Sequence, residues 1–388
     1  MLIPAADGDH LKNEDFLAAY GTLQLDPSSA PVTTKTVMWI ASCSKLVTAV
    51  AVLQCVERGL FSLDSSENVD RLLPEWKEPE ILTGFLDGQP QLQRAKEKIT
   101  LRQLLTHTSG LAYDIDPTLM QWRKTKGQES LALRAPILEC FITPLLFEPG
   151  TGYTYGPGLE LAGLMVARAN KCTLEEYMRK NIFDTLGMHD TTFRPLEQIK
   201  ELSGRVMPMT CRPTADEALA DGDAPGFPFK MAPLDPIDEF GGAGLFSTAE
   251  DYLKILKTIL RNEKQVLSME SVDMLFAPSI TPSSKDALRD VLAVPFFASI
   301  AIPGHVPGTG EWSHSVGGLI GQFDNDRGLK SSWIQWGGMP NLKWWIDREG
   351  GSCGIFATQL SPTGEPKHES VMEVFQKEMV KRFSKSDT

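Results

Sequence analysis

The chain has 388 residues, 42% of them hydrophobic and 23% charged, which suits a soluble protein with a large core and two structural lobes rather than a disordered one. Its formal net charge of −12 leaves no basic surface for nucleic acid or an anionic membrane. No apolar run approaches the roughly 20 residues that a membrane-spanning helix needs.

The first ten residues lack the basic start and apolar stretch of a secretory signal. Cys43, Cys55, Cys140, Cys172, Cys211 and Cys353 show no C-x-x-C spacing, so neither a metal site nor a disulfide framework is expected. Reduced thiols and a cytoplasmic location follow. Residues 1–38 alternate apolar runs with turn formers, Ala5-Ala6-Asp7-Gly8 and Asp26-Pro27-Ser28-Ser29, and read as two strands and a loop.

Ser42-Cys43-Ser44-Lys45 then opens an apolar helical run, Leu46 to Glu57, which closes at Gly59. Residues three apart on a helix share a face, so Lys45 can reach the Ser42 hydroxyl. Unpaired N–H groups and partial positive charge at a helix start favour negative charge developing there. A serine hydroxyl is a poor nucleophile near neutrality and needs such a base. The plainer alternative is a helix cap followed by a lysine whose stem lies on apolar surface. Cys43 beside the serine reads as a small buried filler.

From about Asp70 to Pro295 helical patterns dominate, with apolar residues at i, i+3 and i+4 over Thr100–Thr106, Leu159–Ala169, Thr173–Asn181 and Thr248–Arg261. Glu148-Pro149-Gly150 is a turn, and Tyr153 and Tyr155 follow it. A tyrosine is a second candidate base, because a lysine ammonium can stabilise its phenolate. A packed aromatic is the alternative. Residues 212–238 read as a long irregular loop. Gly156-Pro157-Gly158 and Gly241-Gly242-Ala243-Gly244 are turns rather than nucleotide loops, since neither follows a clear parallel strand with a ribose-binding acid beyond it.

The end of the chain changes period. Val316–Phe323, Lys330–Trp336, Leu342–Ile346 and Ser352–Leu360 read as four strands, with a hairpin turn at Arg348-Glu349-Gly350-Gly351. Glu369–Phe383 is an amphipathic helix. Trp312, Trp333, Trp344 and Trp345 read as core, with an apolar pocket wall as the alternative. Strands at both ends around a helical middle imply an α/β (α+β) fold. Residues 1–75 and 296–388 then form one sheet domain, and 76–295 an inserted, mainly helical one.

Ser42-x-x-Lys45, Tyr155-Gly156 and Trp336-Gly337-Gly338-Met339 together resemble the three-part signature of penicillin-binding proteins and serine β-lactamases. The tyrosine and W-G-G forms are similar to the class C β-lactamase and esterase branch of that family. Ile99 to Leu111, with His107-Thr108-Ser109-Gly110, resembles a further hallmark, as does Gly241 to Asp251. Leu53 to Gly59, Asp70 to Pro74, Gly337 to Asn341 and Trp345-Ile346-Asp347 resemble the fungal, lovastatin-type polyketide side-chain acyltransferases.

The resemblance covers about Trp39 to Leu360. It implies a transpeptidase-like fold, an antiparallel sheet flanked by helices with the active site between lobes. It also implies Ser42 as nucleophile, Lys45 and Tyr155 as a coupled base, and the N–H groups of Ser42 and Met339 as oxyanion donors. Tyr155 is preferred to Tyr153 because the family places its tyrosine directly before a small residue. His107 fits the family's structural turn better than a Ser–His pair, which needs a positioned aspartate. Trp336, Gly337, Gly338 and Tyr153 are the expected substrate contacts.

Pro157 stands where relatives carry an asparagine, and Trp336 where they carry a lysine that helps bind a carboxylate. A neutral, lipophilic acyl compound is therefore expected rather than a β-lactam or peptide. The implied activity is acyl transfer, without cofactor, to a hydroxyl of a polyketide-type acceptor from a thioester or ester donor. An acyl carrier protein is one candidate donor. A carboxylesterase and a silent binding protein on the same fold are the alternatives.

Overall fold

Strands from the two ends of the chain meet in one antiparallel sheet. In the computed structural model the described residues are 2–8, 15–198, 204–214, 216–223, 232, 234–303 and 310–385. Seven strands run in the order Phe16–Leu17, Ile3–Gly8, Ser352–Ala357, Leu342–Asp347, Trp333–Gly338, Leu319–Gly321 and Trp312–His314. Successive side chains of a strand point to opposite faces, and this sheet buries both. Ile3, Ala5, Ile355, Trp344, Ile346 and Ile334 enter the large core, together with Tyr252, Ile255 and Ile259 of the helix Ala249–Leu260. Ala6, Phe356, Trp345 and Trp333 instead meet Met372, Val380 and Phe383 of the helix Pro366–Phe383. Trp312 packs edge-on against Trp333, so Trp312, Trp333, Trp344 and Trp345 are packing residues.

Two local expectations are corrected. Ala5-Ala6-Asp7-Gly8 is no turn but part of a central strand, paired residue for residue with Ser352–Ala357. Asp7 is tolerated there because Arg261 Nη2 donates to its Oδ2 at 2.6 Å and Lys257 lies 3.8 Å away. The helical stretch also contains a hairpin, Glu80–Leu86 with Gln89–Arg94. Asp87 and Gly88 turn it with positive φ at both positions, as the twist of a two-residue hairpin demands. Asp26 to Ser29 does form the expected turn, with Ser29 N donating to Asp26 O at 3.0 Å. The loop 212–238 lies partly outside the described residues.

The helix Ser44–Glu57 is buried on all sides as far as Cys55, which makes it a core helix. It packs against the helix Gly158–Asn170. Thr100 and Thr173 start the helices Leu101–Leu105 and Leu174–Met178 with reciprocal capping boxes, and Thr248 caps Ala249–Leu260. No helix among the described residues is long and apolar enough to cross a membrane.

Candidate active site

Ser42 sits in a single 3₁₀ turn, Ala41–Cys43, that runs directly into the helix Ser44–Glu57. The turn is suspended from the two-stranded pairing of Met38–Trp39 with Phe246–Ser247 and from Ile40 N donating to Leu245 O at 3.0 Å. Ala41, just before the serine, takes φ 44°, a strained conformation for a residue with a side chain. The Ser42 hydroxyl shares a hydrogen bond of 2.6 Å with the Tyr155 hydroxyl. Lys45 Nζ donates to Ser42 Oγ at 3.3 Å. Lys45 is almost wholly buried, and its Nζ also donates to Gly242 O at 2.8 Å and Tyr113 OH at 3.2 Å. Ser42, Lys45 and Tyr155 thus come together as one hydrogen-bonded group.

Tyr155 reaches Ser42 because the chain after it lies tight on the turn that ends at Leu111. A Cβ at Gly156 would meet Leu111 O at 2.0 Å, so only glycine permits that approach. His107 shapes the same region without touching Ser42. Its φ is 59°, its carbonyl accepts from Thr154 N at 3.0 Å, and its Nδ1 accepts from Gly156 N at 3.4 Å. Burial, then His314 and Lys45, push its pKa well below the usual histidine value. Burial likewise lowers His314 to about 4. Both imidazoles are neutral at physiological pH. Tyr153 is buried and packs against His107 and His314.

A cleft with about 670 Å³ of empty space, part of it open to solvent, lies over Ser42, with Tyr113, Tyr155 and Met339 among its lining residues. Its walls are apolar: Trp39, Ile115, Leu133, Phe296, Phe297 and Ile300. Trp336 does not line it. That ring borders a smaller compartment with Lys45, His107 and His314, behind Tyr155. Gly337 and Gly338 act by what they lack. A Cβ at Gly338 would meet Ile40 O at 2.5 Å, so the bare backbone lets the strand Trp333–Gly338 press against the serine turn. That contact brings Met339 to the wall of the cavity beside Ser42. Gly338→Ala is expected to lower stability by about 1–3 kcal/mol through overpacking. It is also expected to slow Ser42 acylation by about 100-fold, because Met339 is moved from its place beside Ser42 on the cavity wall. Thermal melting and acylation kinetics check both effects.

Sequence reasoning missed Tyr113 and Glu160. Tyr113 OH donates to Glu160 Oε1 at 2.7 Å, and Glu160 is fully buried. Burial raises the Glu160 pKa against the opposing pull of Lys45. Burial, then the charge of Glu160, holds the Tyr113 phenol well above its usual value. The available signal was faint: Glu160 sits five residues after Tyr155 on an otherwise apolar helix face.

The chain is similar in sequence and fold to known proteins. The Beta-lactamase family model matches residues 12–376. A lovastatin esterase of Penicillium rubens is 35% identical over 351 residues, covering 90% of this chain and 86% of that protein. A monacolin J acid methylbutanoyltransferase of Aspergillus terreus is 34% identical, covering 89% of this chain and 82% of that protein. A mutant of simvastatin synthase from Aspergillus terreus superposes with a TM-score of 0.86 at 31% identity, covering 98% of this chain and 90% of the other. With its sheet flanked by helices and Ser42-x-x-Lys45 at the head of a buried helix, the chain belongs to the Beta-lactamase family and has its transpeptidase-like fold.

Proposed function

We propose that this protein is a serine acyltransferase that moves an acyl group through acyl-Ser42 to a hydroxyl of a lipophilic, polyketide-type acceptor. The observation that carries this reading is the apolar cavity placed directly over a serine hydroxyl hydrogen-bonded to Tyr155. In the first half-reaction Ser42 Oγ attacks the acyl carbonyl of a thioester or ester. Its proton passes to the Lys45–Tyr155 pair, the N–H groups of Ser42 and Met339 hold the developing oxyanion, and the protonated thiol or alcohol leaves. In the second half an acceptor hydroxyl gives its proton to the same pair and attacks the acyl-serine, which restores Ser42. No cofactor enters either half.

The site lies, in this reading, between a sheet domain of residues 1–75 and 296–388 and the inserted domain of 76–295. An acyl carrier protein is one donor of suitable chemistry. The six unpaired cysteines support a cytoplasmic location.

Hydrolysis is the second reading, favoured by the relative named an esterase. An alcohol outcompetes bulk water only if it is positioned, and good positioning is worth effective molarities of about 10⁵ M or more. Apolar walls supply such positioning for a polycyclic alcohol and repel water. With an acyl thioester and a panel of polyketide alcohols at micromolar to millimolar concentration, ester is expected to form faster than free acid. Mass spectrometry of the products decides. Free acid alone across the panel replaces acyl transfer with the esterase reading.

A further inference from the structure

Three groups surround Lys45 Nζ, and their hydrogen-bonding capacities are fixed. The Gly242 carbonyl, at 2.8 Å, can only accept. The Tyr113 hydroxyl, at 3.2 Å, carries a single proton, which it donates to Glu160 Oε1 at 2.7 Å. Toward Lys45 it is therefore also an acceptor. The third group is Ser42 Oγ at 3.3 Å. An ammonium has three N–H groups, whereas a free amine has two and a lone pair. With two N–H groups committed to Gly242 and Tyr113, the third position of Nζ faces the serine. It is an N–H when Lys45 is charged and a lone pair when it is neutral.

We propose that Glu160 is a positioning residue that acts through Tyr113. By accepting the Tyr113 O–H hydrogen bond it fixes the sense of that bond and so aims the one proton-exchanging position of Lys45 at Ser42. The inference rests on reading Lys45 as part of the base.

The surroundings of Glu160 match this role. Its side chain is fully buried, and Oε2 makes no hydrogen bond. A Cβ at Gly242 would meet that oxygen at 2.3 Å, so the glycine leaves the carboxylate its space. The titratable groups near it are Tyr113 from the turn after Gly110 and Lys45 from the helix Ser44–Glu57. Tyr155 follows at one remove, its ring 5.4 Å from that of Tyr113. His107, beside Tyr155, is neutral. A carboxylate in this place also stabilises the Lys45 ammonium, and its removal favours the amine.

The test is the pH dependence of Ser42 phosphonylation by a fluorophosphonate, followed by intact mass. Wild type, Glu160→Gln, Tyr113→Phe and the double variant are compared. Glu160→Gln keeps the volume and removes the charge. Its rate is expected to fall by about 10-fold or more. Loss of the carboxylate removes the negative charge that favours the Lys45 ammonium, so the acid limb of the profile is expected to move to lower pH by about one unit or more. Tyr113→Phe is expected to slow the reaction similarly, and the double variant no further, because both act through one hydrogen bond. A merely structural glutamate would change rate or melting temperature but leave the shape of the profile unmoved, and that result overturns the inference. If Glu160→Gln does not fold, Tyr113→Phe decides: a rate equal to wild type overturns it. No Ser42 adduct on wild type would defeat the nucleophile assignment and this inference with it. A normal wild-type profile reproduced unchanged by Glu160→Gln defeats this inference alone.

Discussion

Ser42→Ala is expected to take up no fluorophosphonate or activated acyl ester, while wild type gains a single adduct. The rate of acyl transfer is expected to fall by on the order of 10⁴- to 10⁶-fold. The neighbours cannot substitute. Ser44 Oγ is buried, donates to Ala41 O at 2.6 Å and accepts from Leu245 N at 3.1 Å. Cys43 is also buried, and burial pushes its thiol well above the usual range, so no reactive thiolate forms. What remains in the variant is an apolar cavity that offers an acyl compound no nucleophile. Removing one hydroxyl from a cavity wall should move stability by about 1 kcal/mol or less, as for a typical hydrogen bond. Thermal melting therefore separates loss of the nucleophile from loss of the fold. Labelling that survives the substitution would sink the assignment.

The parts of the fold legible in the sequence are those where local pattern and tertiary packing agree. The strands Trp333–Gly338, Leu342–Asp347 and Ser352–Ala357 stand out as short, largely apolar runs because both sheet faces are buried, each against a different helix. Thr100, Thr173 and Thr248 announce helix starts because an unpaired backbone N–H needs a local acceptor. Ala5 to Gly8 was illegible because its turn-forming composition is overridden by pairing with Ser352–Ala357 and by Arg261, more than 250 positions away in the chain. The hairpin at Asp87-Gly88 carried its signal in those two residues, but the apolar residues around it also fit a helical count. In the candidate site Ser42 and Lys45 were visible because their relation is three positions along one helix. Tyr113 and Glu160 were not, because the 47 positions between them close only when the helix Gly158–Asn170 packs beside Lys45. Spacing finds groups on one element. It does not find groups that meet only by packing.

Tyr155→Phe and Lys45→Met are each expected to lower the acylation rate by about 100- to 10,000-fold, the usual worth of a positioned general base. The double variant should lose little more than either single one. The reason is geometric. Ser42 Oγ touches both partners, Tyr155 OH at 2.6 Å and Lys45 Nζ at 3.3 Å, and Nζ lies 4.8 Å from the centre of the Tyr155 ring. Both partners act on the one proton of Ser42 Oγ, so removing either is expected to disable the other. Residues in a common relay are therefore non-additive, and a double-mutant cycle should return a coupling nearly as large as one single effect. Tyr153→Phe is the control. Tyr153 lies only two positions from Tyr155, but its ring packs against His107 and His314, and it is Tyr155 that lines the cavity over Ser42. It should leave the rate near wild type. Acylation rates measured with one activated ester across all four variants suffice. Additive losses for Lys45 and Tyr155 would show that they act separately, and a larger loss at Tyr153 than at Tyr155 would move the base to the other tyrosine.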